Sequence, residues 1–411
     1  MTPPHTLLRA GLLADGLGGQ ARPHQEVLVH EGRIAAVGPH LECPPGTQII
    51  DLGNACLTPG LIDGHTHLGL SGDGRPYAEM FGESDAMMVL IGARNLQLHR
   101  DAGITTLREH GARNQVGYVL KEGVRRGLIP GPRLQVSGRP ITCTGGHFHM
   151  CNEVADGEEE IRRSVRRLVH EGADYIKIMA SGGGTAGTIP GLASYTTAEL
   201  GAAVHEAHYF HRLTAAHCRA TDSMRRAVEA GIDLMEHAEF LDPDGQLRFD
   251  PELAAMMAEC GIWISPTLQA WTRYGRMVEL RQRPSPTPAE EQELRALEVR
   301  AEFRLDLLRR LMDYKGMRER LVPGTDSGAG AIAFGHLDYD LQLLHQTGLT
   351  PAETLVSATR ISAAAIGAEK DLGTIEKGKV ADLAAFDGDP TRDVGAFSRV
   401  MAVFQDGVRV R

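Results

Sequence analysis

The feature that most restricts the fold is a regular alternation of helix and strand signals through the middle of the chain. Residues 158–171 carry apolar side chains at helical spacing, and after Gly172 comes the strand-like run Tyr175–Met179. Thr196 and Glu199 have the spacing of a capping box at the start of the next helix. Eight such apolar runs occur, near Leu61, Thr106, Leu134, Ile176, Ala215, Met235, Ile264 and Val322. Strands that alternate with helices and number eight predict an α/β fold of the (β/α)8 TIM-barrel type.

The two ends of the chain have a different pattern. Short apolar runs separated by glycine and proline turns occur at 27–30 and 34–37, and again at 381–386 and 400–404. Runs of this length indicate β-strands. We therefore expect a small β-sandwich built from residues 1–58 and 367–411, which flanks a metal-dependent hydrolase barrel over residues 59–366.

One long interruption separates the seventh and eighth strand signals. Residues 270–320 contain a proline-rich stretch at 281–288, followed by a long, charged, amphipathic helix from about Pro288. A solvated hairpin is the first interpretation, and a lid or an oligomer contact is the alternative.

Charge and composition limit the partners of the chain. Its 411 residues carry 43 Lys and Arg against 53 Asp and Glu, a net charge of −10, which argues against nucleic acid and anionic membranes. No uninterrupted apolar run of about 18 residues predicts a membrane span, and the N-terminus has no signal-peptide pattern. Six cysteines without CxxC spacing favour reduced thiols. We expect a cytoplasmic homo-oligomer that acts on a small molecule.

Four histidines lie at the ends of strand-like runs, where a barrel of this type places its active site. His65 and His67 alternate on one strand, so both rings face the same side and can share one metal ion. His217 and His237 each end a further apolar run. Either one alone would be read as a buried histidine bonded to backbone, but together the four imidazoles suit zinc.

A lysine and an aspartate extend this set. Lys177 lies in the middle of an apolar strand, where burial lowers the pKa of an amine. It is either an inward charge paired with a carboxylate or a neutral amine that can be modified into an acidic bridging ligand. Asp326 follows Gly324 and Thr325 on the last strand, where it can bind metal and accept a proton from an activated water. An N-cap is the alternative role for Asp326.

These residues give the chain a strong resemblance to the amidohydrolase superfamily, over nearly its whole length. His65, His67, Lys177, His217, His237 and Asp326 fill every ligand position of the binuclear subtype. The resemblance implies that Lys177 is carboxylated and bridges two divalent metal ions, with zinc favoured, around a hydroxide. It also implies that His65, His67 and Asp326 hold one ion and that His217 and His237 hold the other. Asp326 would move the proton from the hydroxide to the leaving nitrogen.

A narrower resemblance is to the branch of imidazolonepropionase-like proteins, Xaa-Pro dipeptidases and arginine/lysine carboxypeptidases. It rests on Ile176-Lys177-Ile178-Met179-Ala180-Ser181-Gly182-Gly183 and on Thr144-Gly145-Gly146-His147. The resemblance gives His147 a catalytic, substrate-contacting role near the reacting carbonyl, with His149 as the alternative residue.

Three further positions are substrate-side candidates. Where dipeptidase-like relatives often carry a tyrosine after the strand-five histidine, this chain has Arg219, which either binds a substrate carboxylate or faces solvent. His336 is a candidate for the pocket wall. The segment 108–110 after strand two is a weaker one, with a structural ion pair as the alternative.

The sequence therefore predicts an enzyme that hydrolyses the C–N bond of an N-acyl amino acid or a dipeptide by a metal-bound hydroxide. A hydrolase of a cyclic amide or other heterocycle is the main alternative. A non-catalytic scaffold protein is disfavoured, because such relatives lose metal ligands and this chain has them all.

Overall fold

A computed structural model describes residues 5–411 of the chain. The first four residues of the predicted sandwich, where no signal peptide is expected, lie outside the described part. The two ends of the chain form one sheet. Its strands are β1 (His5–Leu13), β2 (Arg22–His30), β3 (Arg33–Gly38), β4 (Gln48–Asp51) and β5 (Cys56–Pro59) from the N-terminal side, and β13 (Leu383–Phe386), β14 (Val400–Gln405) and β15 (Val408–Arg409) from the C-terminal side.

These eight strands are hydrogen-bonded into a single sheet. The order is β15-β14-β13-β5-β1-β2-β3, and β4 pairs with β1 beside that path. The N- and C-terminal parts join where β5 and β13 run antiparallel, with Leu57 opposite Ala385. Alternate side chains of β1, β2, β13 and β14 meet in a hydrophobic core separate from the main one. The predicted association of the two ends is thus present as one continuous sheet.

Parallel strands in two sets form the centre of the molecule. One set is β6 (Leu61–Thr66), β7 (Ile104–Glu109) and β8 (Arg133–Val136), and the other is β9 (Tyr175–Met179), β10 (Leu213–Ala220), β11 (Leu234–Leu241) and β12 (Trp263–Ser265). A parallel bridge between Ile141 and Ile178 links the chain beyond β8 to β9. Helices between consecutive strands cover the outside, as parallel strands require.

The eighth predicted strand, near Val322, is not a regular strand. Residues 321–327 form no continuous ladder with their neighbours: the bridges are the isolated parallel pairs Leu321 to Ile264 and Ser327 to Thr66, beside single hydrogen bonds such as Gly64 N–H to the carbonyl of Pro323. Pro323 has no N–H to donate, and Asp326 has a left-handed backbone with φ +57°. These two residues interrupt the ladder, so the architecture is TIM-barrel-like with an irregular eighth segment.

The helices follow the predicted order. They are α1 (Tyr77–Met80), α2 (Asp85–Asp101), α3 (Val116–Arg125), α4 (Gly157–Glu171), α5 (Thr197–Tyr209), α6 (Thr221–Glu229), α7 (Pro251–Cys260), α8 (Leu268–Thr272), α9 (Tyr274–Gln282), α10 (Pro288–Met312), α11 (Leu337–Gln346), α12 (Pro351–Val356) and α13 (Ser362–Ala365), with 3-10 turns at His149–Cys151, Arg318–Arg320 and Val394–Ser398 and a π-turn at Ser357–Ile361. The predicted capping box is confirmed, because Thr196 accepts from the N–H of Glu199 while Glu199 accepts from Thr196. Within residues 5–411, no helix is both long and apolar enough to cross a bilayer.

Helices α8 to α10, residues 268–312, are here called the helical insertion. Along α10 a row of leucines is buried, and so is Arg304. The guanidinium of Arg304 donates to the carbonyls of His237 and Ala238, at 2.8 and 3.4 Å. The insertion is thus bonded to the end of β11, which the interpretation as a solvated hairpin does not explain.

Candidate active site

The six predicted ligands converge on one cavity of about 700 Å³, at the carboxyl ends of the central strands. His65 and Lys177 belong to β6 and β9, and His217 and His237 to β10 and β11. His67 directly follows β6, and Asp326 lies in the irregular eighth segment, 321–327. All six line the cavity and all are buried. Residues separated by up to 261 positions in the sequence are therefore within reach of one small ligand.

Three electron-pair donors face one another at the first group of ligands. His65 Nε2 lies 3.3 Å from His67 Nε2, and Asp326 Oδ1 lies 3.4 and 3.3 Å from these two nitrogens. The other ring nitrogens have acceptors, since His65 Nδ1 is 2.7 Å from Glu236 Oε2 and His67 Nδ1 is 3.4 Å from the carbonyl of Gly111. Each Nδ1 then carries the proton, which leaves both Nε2 lone pairs aimed at a carboxylate. This donor set fits a divalent cation.

The second group repeats this arrangement with two imidazoles. His217 Nδ1 and His237 Nε2 are 2.8 Å apart. His217 Nε2 donates to the carbonyl of Gly182 at 3.1 Å, and His237 Nδ1 lies 2.7 Å from Thr267 Oγ1 and 3.1 Å from Trp271 Nε1. Burial lowers the pKa of both rings well below its usual value, so the neutral, metal-binding form is favoured. His217 Nδ1 and His237 Nε2 are thus the two ring atoms that a cation could bind, and one ligand atom each of His65, His237 and Asp326 lies within 4.8 Å of the others.

Lys177 is buried beside these groups without a hydrogen bond to any residue of the described chain. Its Nζ is 4.0 Å from Glu236 Oε1, too far for a hydrogen bond. Burial lowers the pKa of Lys177 to about 8, against the opposing charges of Glu236 and Asp326. A buried amine with one ion-pair contact at 4.0 Å and no hydrogen bond is costly unless it is neutral or modified, which fits a modified bridging lysine.

Glu236 is a functional candidate that the sequence interpretation missed. It is fully buried, holds His65 Nδ1 through Oε2, and has no hydrogen bond at Oε1 within the described residues. Carboxylates that orient a ligating histidine in this way tune metal binding. The sequence feature that could have identified it is an acidic residue inside the apolar strand β11, directly before His237.

We expect Glu236→Gln to weaken zinc binding by about 10- to 100-fold, because the amide orients His65 without the charge that raises its basicity. The measurement is competition of the protein with a chelator of known zinc affinity. Glu259→Gln, at an exposed position of α7, is the matched control. Unchanged zinc affinity in Glu236→Gln would show that the contact with His65 has no influence on the ions.

Segment 108–110 does not line the cavity. Arg108 is buried with its guanidinium 3.7 Å from the ring centroid of Tyr175, and all three of its nitrogens lack hydrogen-bond partners among residues 5–411. His110 stacks on His65 at 4.2 Å and donates from Nε2 to the carbonyl of Gly64. The pocket assignment was wrong, and so was the alternative of an ion pair for Arg108. These side chains form the layer beneath the ligands.

His147, not His149, lines the cavity. Its ring centroid is 4.6 Å from that of His217, and its Nδ1 is 2.8 Å from Thr185 Oγ1. His149 turns towards the carbonyl of Gly146 at 2.9 Å. Gly183 is needed here, because a Cβ at that position would come within 2.5 Å of His147 Nε2. The position of His147 suits a contact with a substrate held at the ligands.

Tyr77, on α1, is a further cavity residue that the sequence interpretation missed. Its ring centroid lies 6.2 Å from that of His147. Burial, together with the charge of Asp326, raises the pKa of this phenol, so it stays a hydrogen-bond donor. No sequence pattern marked it, because α1 is a single turn in a long connection.

Arg219 does not face solvent. Its side chain is 12% exposed, Nε donates to Glu239 Oε2 at 2.5 Å, and the guanidinium lies 4.1 Å from the ring centroid of Trp271. Trp271 Nε1 donates to Thr267 Oγ1, the group that holds His237. Arg219 is therefore held in the cavity wall near the second group of ligands. His336 also lines the cavity, but at its rim, with 44% of its side chain exposed and its ring stacked on Tyr339.

A barrel-like α/β fold with two groups of metal-type side chains at one cavity is typical of hydrolases that use divalent cations. Residues 56–410 match the model of the amidohydrolase family, and the chain belongs to that family. The predicted placement in the amidohydrolase superfamily is confirmed.

Similar proteins cover nearly the whole chain. Ochratoxinase from Aspergillus niger is 27% identical over 97% of this chain and 84% of its own length. Imidazolonepropionase from Symbiobacterium thermophilum is 25% identical over 92% of this chain and 89% of its own length. The crystal structure of a Xaa-Pro dipeptidase with bound methionine in the active site superposes with a TM-score of 0.83, at 25% identity over 98% and 99% of the two chains.

Proposed function

We propose that the protein is a binuclear metal-dependent amidohydrolase that cleaves the C–N bond of an N-acyl amino acid or a dipeptide. The observation that carries this proposal is the pair of metal-type donor groups, His65-His67-Asp326 and His217-His237, which line one cavity together with a buried Lys177 that has no hydrogen bond within residues 5–411. Within this proposal the barrel spans residues 59–366 and is closed through segment 321–327, and the flanking domain predicted for residues 1–58 and 367–411 is the eight-stranded sheet of the described residues 5–58 and 367–411.

The residues that would hold the cations follow from this geometry. His65, His67 and Asp326 would bind one ion, His217 and His237 the other, and a carboxylated Lys177 would bridge them, with zinc as the expected metal. Bound ions of this kind lower the pKa of water to about 7 and polarise a carbonyl oxygen.

The chain's own residues supply the remaining steps. The Asp326 carboxylate accepts a proton from the attacking water and delivers it to the leaving nitrogen, so that the amine departs neutral. His147 contacts the substrate near the reacting carbonyl. Arg219, oriented by Glu239 and Trp271, pairs with the carboxylate of the amino acid on the leaving side. The helical insertion covers this part of the cavity and limits the access of bulk water.

The similar proteins support a C–N bond and a carboxylate-bearing product. A Xaa-Pro dipeptidase holds methionine at its active site, and an ochratoxinase is among the relatives with the highest coverage. Several imidazolonepropionases are also similar, which favours the heterocycle hydrolase as the second candidate. A scaffold protein is the least supported alternative, because none of the six ligand positions is substituted.

A hydrolysis screen of the zinc-loaded protein tests the proposal. Dipeptides and N-acyl amino acids are assayed beside hydantoin-like compounds, lactams and lactones, and we expect turnover in the first group. Turnover confined to the cyclic compounds would establish the second candidate and overturn the first.

Removal of metal gives a second test on the same substrates. Dialysis against a chelator is expected to reduce hydrolysis to background, because the attacking water and the carbonyl both lose activation, and added zinc is expected to restore it. Circular dichroism before and after dialysis controls for unfolding. Full activity at a metal content near zero would contradict a metal-dependent mechanism.

A further inference from the structure

Arginines accumulate at the cavity although the whole chain is acidic. Five of them line it, namely Arg75, Arg219, Arg273, Arg276 and Arg300, whereas the acids of its wall are Asp326 and Glu279. The chain carries a net charge of −10. A cleft lined with one sign of charge concentrates ligands of the opposite sign.

Three of the five arginines are already neutralised by acids of the chain. Arg75 pairs with Asp73 at 2.9 Å, and Arg219 pairs with Glu239 at 2.5 Å. Arg276 is held between two glutamates. These three guanidiniums thus have carboxylate partners before any ligand enters.

Arg273 and Arg300 differ from the other three. Neither side chain forms a hydrogen bond or an ion pair within 4.0 Å anywhere in residues 5–411. The pKa of Glu293 is lowered mainly by its hydrogen bonds to Arg276 and also by the charge of Arg273. Both carboxylate oxygens of Glu293 accept from Arg276, at 3.0 and 2.7 Å. Two cations therefore face the cavity without a carboxylate of their own.

Arg273 and Arg300 are exposed at the cavity, and neighbouring residues fix the backbone that carries them. Arg273 comes two residues after Trp271, whose ring centroid is 5.3 Å from that of His237. Arg300 lies one helical turn before Arg304, so the two share a face of α10. Arg304 in turn donates to the carbonyl of His237 at 2.8 Å. The backbone that carries the two free guanidiniums is thus fixed to the ligand strand.

We propose that Arg273 and Arg300 form an anion subsite that binds a carboxylate distal to the scissile bond. This inference rests on the proposed function, which assigns the ligand end of the cavity to the amide and Arg219 to the α-carboxylate. The substrate class is then an N-acyl amino acid or dipeptide with a second acidic group. Guanidinium pairs bind a carboxylate through charge-assisted hydrogen bonds, and a cavity of about 700 Å³ holds a molecule with two separate anchors.

Three ligands that all carry the α-carboxylate test the subsite. N-acetyl-L-glutamine has no second acid, N-acetyl-L-glutamate has it on the leaving side, and N-succinyl-L-glutamine has it on the acyl side. Hydrolysis is measured on the zinc-loaded wild type, and binding by calorimetry on zinc-loaded Asp326→Asn, in which turnover is expected to be about 10³-fold slower. We expect one of the two diacids to be preferred over N-acetyl-L-glutamine by about tenfold, since each hydrogen bond between charged groups contributes on this scale.

The double variant Arg273→Gln/Arg300→Gln is expected to raise KM for the preferred diacid and so to remove its preference over N-acetyl-L-glutamine. The kcat for N-acetyl-L-glutamine is expected to change little. Arg295→Gln is the matched control, because it removes one charge from the same helix at an exposed position outside the cavity wall. Which diacid is preferred shows on which side of the amide the second acid lies.

Other outcomes separate this inference from the proposed function. Preferred binding of a diacid without turnover of any amide would retain the anion subsite and overturn the proposed reaction. Turnover without preference, or a preference that survives in the double variant, would overturn the subsite and leave the reaction standing. Failure of all three ligands to bind at millimolar concentration would also overturn the subsite.

Discussion

Replacing Asp326 by asparagine is expected to lower kcat by about 10³-fold while most of the metal stays bound, because positioned proton transfer contributes roughly 10²- to 10⁴-fold. Asp326 Oδ1 lies 3.4 and 3.3 Å from the Nε2 atoms of His65 and His67. An asparagine retains an oxygen at this place but cannot accept a proton. It also tolerates the left-handed backbone at this position, where φ is +57°, so the loop is expected to keep its shape.

The measurement combines kcat with the metal content of the purified variant. Asp313→Asn, an exposed aspartate after α10, controls for the loss of one negative charge. Full activity of Asp326→Asn would remove this residue from the proton pathway. A large fall in kcat with an equal fall in metal content would make Asp326 a ligand without a role in proton transfer.

The convergence of the six candidate ligands on one cavity was predictable because it follows rules that act along the chain. His65 and His67 alternate on one strand, and the carboxyl ends of parallel strands meet at the same edge of the sheet. Lys177, His217 and His237 each interrupt or end an apolar run, so their strand positions could be derived from hydrophobic pattern alone. The structure brings these side chains together as that reasoning requires.

Other parts of the site depend on contacts between distant segments and were not predictable. Tyr77, Trp271 and Arg304 lie outside the strands, in a single-turn helix and in the helical insertion, and nothing in their local sequence indicates the cavity. Arg219 could be assigned to solvent or substrate from sequence, but its partner Glu239 lies on the neighbouring strand. The hydrophobic pattern gives the face of a strand, whereas the partner of a charged group depends on tertiary packing.

The irregular eighth segment shows a limit of a different kind. An apolar run that ends at Asp326 predicts a strand, yet Pro323 and the left-handed Asp326 allow only isolated bridges. The same irregularity serves the site. The N–H of Asp326 donates to the carbonyl of His65 at 2.8 Å, and Asp63 accepts from the N–H of Thr325 at 3.0 Å. Loss of regular pairing thus accompanies a fixed position for the aspartate beside the histidines.

Substitution of Lys177 distinguishes the two roles that the sequence left open for it. One is an inward charge paired with a carboxylate, and the other is a modified bridging ligand. If Lys177 only balances the charge of Glu236, Lys177→Arg should keep the metal and much of the activity. If a carboxylated Lys177 bridges the ions, arginine cannot replace it, because a guanidinium stays protonated and is not carboxylated. The distance of 4.0 Å from Nζ to Glu236 Oε1 and the unpartnered amine favour the second case.

We therefore expect Lys177→Arg and Lys177→Met both to lose about 10³-fold or more in kcat, since the ions lose a ligand and with it their activation of water. Metal content is expected to fall by at least one ion per chain in both variants. Lys121→Met, which removes a lysine paired with Asp174 away from the cavity, is the control. Arginine that preserved both metal and activity would assign Lys177 to charge balance. Circular dichroism on the same samples identifies a variant that fails to fold. Such a variant is then not mistaken for the loss of a metal ligand.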